Sequence, residues 1–241
     1  MTNPEPRIAV LPDAPETRLL VALTSHSSDL SEAAHTLRHA FEAGEGSELW
    51  LPLTSHAVTA YIRPFIDSNV RTRLDNMPEI PALPPTLAGV HDKIRKYRNT
   101  TVAHSQSELT LPLPVAFLDA EGRGVKVSGI SIIHPMPLAI AESFSDLISV
   151  MEDVVDQATQ PVLESLRVWL QGQAPDTIKG WDHPEFIHAT DSDFSAATSR
   201  TAAPRFTAYW HAELSPTSPA TPRAPSPGRR WSTHLPSAPP S

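Results

Sequence analysis

HDKIRKYRNTTVAH, residues 91–104, is the stretch from which the fold is read. It is basic in its first half, through Lys93, Arg95, Lys96 and Arg98. It ends in Arg98-Asn99, followed by Ala103-His104. Upstream, Leu87, Val90, Ile94, Tyr97 and Thr101 recur at three- and four-residue steps, the spacing of one helical face. Thr86 can cap that helix. The pattern predicts a helix over about 86–106 whose buried seam runs on toward His104.

The flanking segments have the same character. Leu30, Ala33, Leu37 and Phe41 predict a helix from about Ser28 to Ala43, stopped by Gly44 and Gly46. A second helix starts near Pro52 or Thr54 and carries Val58, Tyr61, Ile62 and Phe65. Pro64 removes a backbone donor, so a kink or break falls near Ile62. Residues 76–85 hold Pro78, Pro81, Pro84 and Pro85 and read as a loop. The longest apolar stripe runs from about Pro137 to Gln171, through Phe144, Leu147, Met151, Val155, Val162 and Leu166. Pro161 interrupts it, which leaves either two helices or one kinked helix.

Between the third helix and this stripe the period changes. Val115 to Leu118, a glycine-containing turn, and Val125 to Val127 read as a β-hairpin within about 113–133. Pro112 and Pro114 confine its first arm to a sheet edge. The expected fold is mainly α: an antiparallel helical bundle over residues 26–172 with a small β-hairpin insertion. Residues 1–25, with Pro4, Pro6, Pro12 and Pro15, read as an extended arm. Its apolar segment RLLVALT is either a strand or packs on the body. Residues 173–241 are rich in Pro, Ser and Thr, above all after 215, and are expected to be a largely disordered tail.

Of the chain's 241 residues 40% are hydrophobic and only 6% aromatic, so the core must rest on aliphatic side chains. The net charge of −8 argues against a protein that coats nucleic acid indiscriminately. Positive charge is nonetheless concentrated between Tyr61 and His104, at Arg63, Arg71, Arg73, Lys93, Arg95, Lys96 and Arg98. That concentration fits either a specific anionic ligand or a solvated helix face. The absence of cysteine excludes disulfides and thiolate metal sites. His35 and His39 have the i,i+4 spacing of metal ligands, but no acidic residue completes a known pattern, so they are read as surface histidines. No metal and no cofactor is expected. No run suits a membrane span or a signal sequence, so a cytoplasmic protein without a membrane partner is expected.

An arginine, a polar residue and a histidine shortly downstream on a helix resemble the R-x(4–6)-H signature of the HEPN family. The resemblance covers roughly residues 28–172, and its sharp part is the motif at 98–104. The words AYIRPF and VRTRL also look like the second helix of HEPN-like bacterial proteins. The resemblance implies a homodimer in which two motifs line one cleft and cleave RNA without a metal, as a toxin or phage-defence component with a possible antitoxin partner.

Residue chemistry suits such a reaction. RNA cleavage needs the 2′-hydroxyl deprotonated, the leaving 5′-oxygen protonated and the phosphorane charge balanced. A histidine such as His104 can give or take a proton near neutral pH. Arg98 matches phosphate oxygens in bidentate fashion. Asn99 can hold His104 or the phosphate, while Arg63, Arg95 and Lys96 would bind the RNA backbone. The alternative is a non-catalytic helical module for dimerisation or for binding a nucleotide or protein. The two readings differ at His104: catalysis needs it exposed beside Arg98, whereas a module lets it be buried.

Overall fold

The computed structural model describes residues 8–68, 71–104, 107–187 and 207–209. It is a mainly helical bundle with one antiparallel β-hairpin. Helix α1 spans Pro15–Ala43, α2 Trp50–Ile62, α3 Pro85–Tyr97 and α4 Leu138–Gln171. Strands β1 (Thr110–Leu118) and β2 (Gly124–Ile133) lie between α3 and α4. A short α5, Pro175–Lys179, precedes β3 (Glu185–Ile187), which pairs in parallel with β4 (Thr207–Tyr209).

Helix α1 takes in residues 15–25, which the sequence reading placed in an extended arm. Pro15 occupies its first turn, where a missing N–H costs nothing. Thr17 Oγ1 accepts the Ala14 N–H at 2.7 Å and so satisfies a donor at the entry to the helix. RLLVALT is therefore helical, and Leu23 continues the buried face of Leu30 and Leu37. The far end stops as expected at Gly44, whose φ of 84° suits a residue without a side chain.

The loop after Gly44 turns the chain back into α2. Trp50 opens that helix, buried, with its indole N–H donating to the Met136 carbonyl at 2.7 Å. Glu45 in the same loop accepts the Leu138 N–H at 2.9 Å, which sets a carboxylate at the positive end of α4. α2 ends at Ile62, and Pro64 sits in a 3-10 turn over Arg63–Phe65, the break its position predicts. Leu23, Leu30 and Leu37 of α1 meet Val58 and Tyr61 of α2, Ile94 of α3, and Phe144, Leu147, Ile148 and Met151 of α4 in one core. Tyr61 and Phe144 meet edge to face with centroids 5.2 Å apart.

α4 is one continuous helix of 34 residues despite Pro161. Pro161 lies on its exposed side, between the buried Val155 and Val162, where water can satisfy the carbonyl that loses its partner. Part of the segment expected to be disordered is ordered against the body. Trp181 stacks on Trp169 of α4, centroids 5.5 Å apart, and the Val10 N–H donates to the Asp182 carbonyl at 2.7 Å. The Pro/Ser/Thr-rich run after 215 lies outside the described residues. Among the described residues, no helix is long and apolar enough to cross a membrane.

Candidate functional site

α3 is shorter than expected. The backbone after Tyr97 opens into a π-helical turn over Arg98–Val102, closed by the Ala103 N–H on the Arg98 carbonyl at 2.8 Å. Two local features favour the wider turn. Thr100 Oγ1 donates to the Lys96 carbonyl at 2.9 Å and competes for an acceptor of the regular ladder. The run Thr100-Thr101-Val102 is β-branched and crowds a regular helix. Such π turns recur at functional sites.

The turn changes where the motif points. In a regular helix the residue four positions on lies above Arg98. Here the i→i+5 closure sets Ala103 there, so the chain has advanced one residue further when it reaches His104. His104 lies past the end of the turn and is exposed, not on the buried seam that regular periodicity projected. Arg98 is half-buried and donates from Nη1 to Asn99 Oδ1 at 3.1 Å. Asn99 thus orients the guanidinium. Among the described residues, no hydrogen bond joins either residue to His104. Tyr97 and Val102 anchor the turn by packing on the core. Burial pushes the Tyr97 phenol up, with Ser55 of α2 acting in the opposite direction.

The cations divide into two groups. Lys93, Arg95 and Lys96 are exposed, Arg98 lies beside them, and none of the four forms an ion pair among the described residues. Arg63, Arg71 and Arg73 are all engaged by carboxylates. Arg63 reaches Glu32 at 2.6 Å and Asp29 at 3.3 Å. Arg71 holds Asp29 and the Ser25 hydroxyl, and the Arg71 and Asp29 side chains are only 15% and 13% exposed. Arg73 forks onto Asp75 at 2.9 and 2.5 Å. Arg63, expected to bind RNA, pairs with α1, where it holds the Glu32 carboxyl below its usual range by hydrogen bonding. The sequence carried no signal for the pairings of Arg63 and Arg71, because Arg63 and Glu32 lie 31 residues apart and Arg71 and Asp29 lie 42 apart.

His26, His91, His35 and His39 have structural partners. His26 is fully buried and donates from Nε2 to the Thr72 carbonyl at 3.0 Å. His91 is buried, hydrogen-bonded through Nδ1 to the Tyr61 hydroxyl at 2.9 Å, with its ring edge-on to Phe65. Burial pushes both imidazoles below their ordinary pKa, aided at His26 by the Arg71 charge. His35 and His39 face one another on α1 with 3.1 Å between Nε2 atoms, and Glu42 holds His39 Nδ1 at 2.7 Å. No group of three metal-ligating side chains occurs among the described residues. An open groove on α1, lined by Thr24, Ser27, Ser28, Ser31, Glu32 and His35, includes no residue of the Arg98–His104 motif.

Comparison with known proteins finds no matching family model, no matching curated protein and no matching solved structure.

Proposed function

We propose that this chain is a metal-independent endoribonuclease of the HEPN type, acting as a homodimer. The observation that carries the reading is an exposed His104 just past the π-helical turn that ends α3, a helix whose Lys93, Arg95 and Lys96, with Arg98 of the turn, form no ion pair among the described residues. An exposed imidazole and a helix end rich in positive charge are the two groups that a phosphodiester needs.

In the proposed reaction His104 of one protomer takes the proton of a 2′-hydroxyl. The 2′-oxygen attacks phosphorus, the bond to the 5′-oxygen breaks, and the second protomer's imidazolium protonates that oxygen. The products are a 2′,3′-cyclic phosphate and a free 5′-hydroxyl. Arg98, aimed by Asn99, holds the non-bridging oxygens whose charge grows in the transition state. Arg95 and Lys96 bind the flanking phosphates. Arg63 takes no part, since Asp29 and Glu32 already hold it.

The test incubates the purified full chain with a labelled single-stranded RNA, with and without EDTA. Cleavage to cyclic-phosphate ends at an equal rate in both is expected. RNA that stays intact with and without divalent metal would overturn the proposal and favour a helical module that binds without cleaving.

A further inference from the structure

The β1–β2 ribbon has two unlike edges. The His134 N–H donates to the Leu109 carbonyl at 2.8 Å, which fixes the phase of the ladder. Odd-numbered residues of β1 therefore bond inward to β2, and even-numbered ones face outward. Pro112 and Pro114 both fall at outward positions, opposite Ser131 and Gly129. The outer edge of β1 thus lacks two donors in succession and is blocked against a further strand.

The outer edge of β2 has no such protection. Its outward residues are Val127, Gly129, Ser131 and Ile133, the partners of Ala116, Pro114, Pro112 and Thr110. None is proline, and the run from Val127 to Ile133 carries no charge. Every β2 residue except Ser128 is exposed, Val127 at 79% and Ile133 at 48%. Among the described residues no strand pairs with this edge. An uncharged, β-branched free edge is a template for another strand.

We propose that the outer edge of β2 is where a second copy of this chain docks, making an antiparallel four-stranded sheet in the order β1-β2-β2-β1. The edge is complementary to itself. A twofold axis near Ile130 sets Val127 opposite Ile133 and Gly129 opposite Ser131, with no like charges facing one another. A ribbon of two strands is marginal in water, and four strands are not. The blocked β1 edge ends the sheet at two copies and prevents a fibre. The inference goes beyond the ribonuclease reading and does not depend on it.

The experiment is sedimentation equilibrium on the full chain, with hydrogen exchange read residue by residue. Wild type is expected at twice the 26.2 kDa chain mass. The amides of Val127, Gly129, Ser131 and Ile133 should exchange at least ~10-fold more slowly in the dimer than after dilution to monomer. Val127→Pro and Ser131→Pro each delete one outward donor and should weaken association about tenfold or more. Ala116→Pro, on the blocked edge, should leave it unchanged. Protection at Ile130 and Ile132, which bond inward, checks that the ribbon survives each proline. If a variant loses the ribbon, the wild-type exchange pattern decides. A monomeric wild type, rapid exchange at the four outward amides in the dimer, or a dimer indifferent to both prolines on an intact ribbon would each overturn the proposal.

Discussion

Replacing Asp29 with alanine tests the ion-pair network that fastens the loop after α2 to α1. Asp29 accepts from Arg71 and Arg63, and among the described residues Arg71 keeps the Ser25 hydroxyl alone when the carboxylate goes. Breaking a buried pair on one side typically costs ~3–5 kcal/mol, because the remaining charge stays desolvated. Arg71 keeps 15% of its side-chain surface and one hydrogen bond, which points to the lower end, about 3 kcal/mol. Alanine's better helix propensity offsets roughly 0.5 kcal/mol of that. At about 2–4 °C per kcal/mol for a chain of this size, Tm should fall by roughly 5–10 °C. The assay is thermal unfolding followed by circular dichroism at 222 nm (a wavelength set by the helix signal). Asp13→Ala, which removes the exposed pair to Arg18, should leave Tm unchanged. Asp29→Leu combined with Arg71→Met should recover most of the loss, since apolar side chains replace a buried pair well. A Tm for Asp29→Ala within a degree or two of wild type would refute the network's structural role.

Acid should destabilise the fold early. His26 and His91 have folded pKa values pushed below the ordinary value, so the unfolded chain binds protons first as pH falls below ~6.5. Their stabilisation is present above that pH and is lost on the way down to the folded values; a Tm flat from pH 7.5 to 5 would count against it. Glu32 and Asp75, held down chiefly by hydrogen bonds from Arg63 and Arg73, should add to the loss only below about pH 4.5. Trp50→Phe deletes the donor to the buried Met136 carbonyl and should cost ~1–3 kcal/mol in urea unfolding. Lys96→Ala should weaken RNA binding and reduce its salt slope by about one, whereas Arg63→Ala should lower Tm and leave the salt slope unchanged.

Local signals read correctly where the determinant was local. Gly44 ends α1, Pro64 ends α2, and the turn around Gly122 joins the hairpin strands, where Asp119 Oδ1 accepts the Glu121 and Arg123 N–H groups. The reading failed where a residue acts differently by position. Prolines suggested an extended arm, but Pro15 stands in a first turn, where it starts a helix. Pro161 left either two helices or one kinked helix, and the packing of Val155, Val162 and Leu166 keeps α4 a single element. The division of the basic run was not legible, because the acid partners of Arg63 and Arg71 come from α1: Asp29 lies 42 residues before Arg71. The π turn carried no periodic signal at all. A side-chain hydrogen bond at Thr100 and a β-branched run favour it, and the helix ends before it reaches His104. The motif was thus visible in sequence, and its exposure was not.

Cleavage by wild type against His104→Ala is the measurement that tests the central proposal most directly. Wild-type dimer should cut single-stranded RNA to cyclic-phosphate ends. His104→Ala removes the motif's proton-transfer group and should slow cleavage by ~10²–10⁴-fold at unchanged Tm, because the side chain is exposed. Arg98→Lys should fail comparably, since an ammonium cannot make the two-point contact with phosphate. A His104→Ala protein that cleaves as fast as wild type would contradict the proposal, even if the RNA is cut.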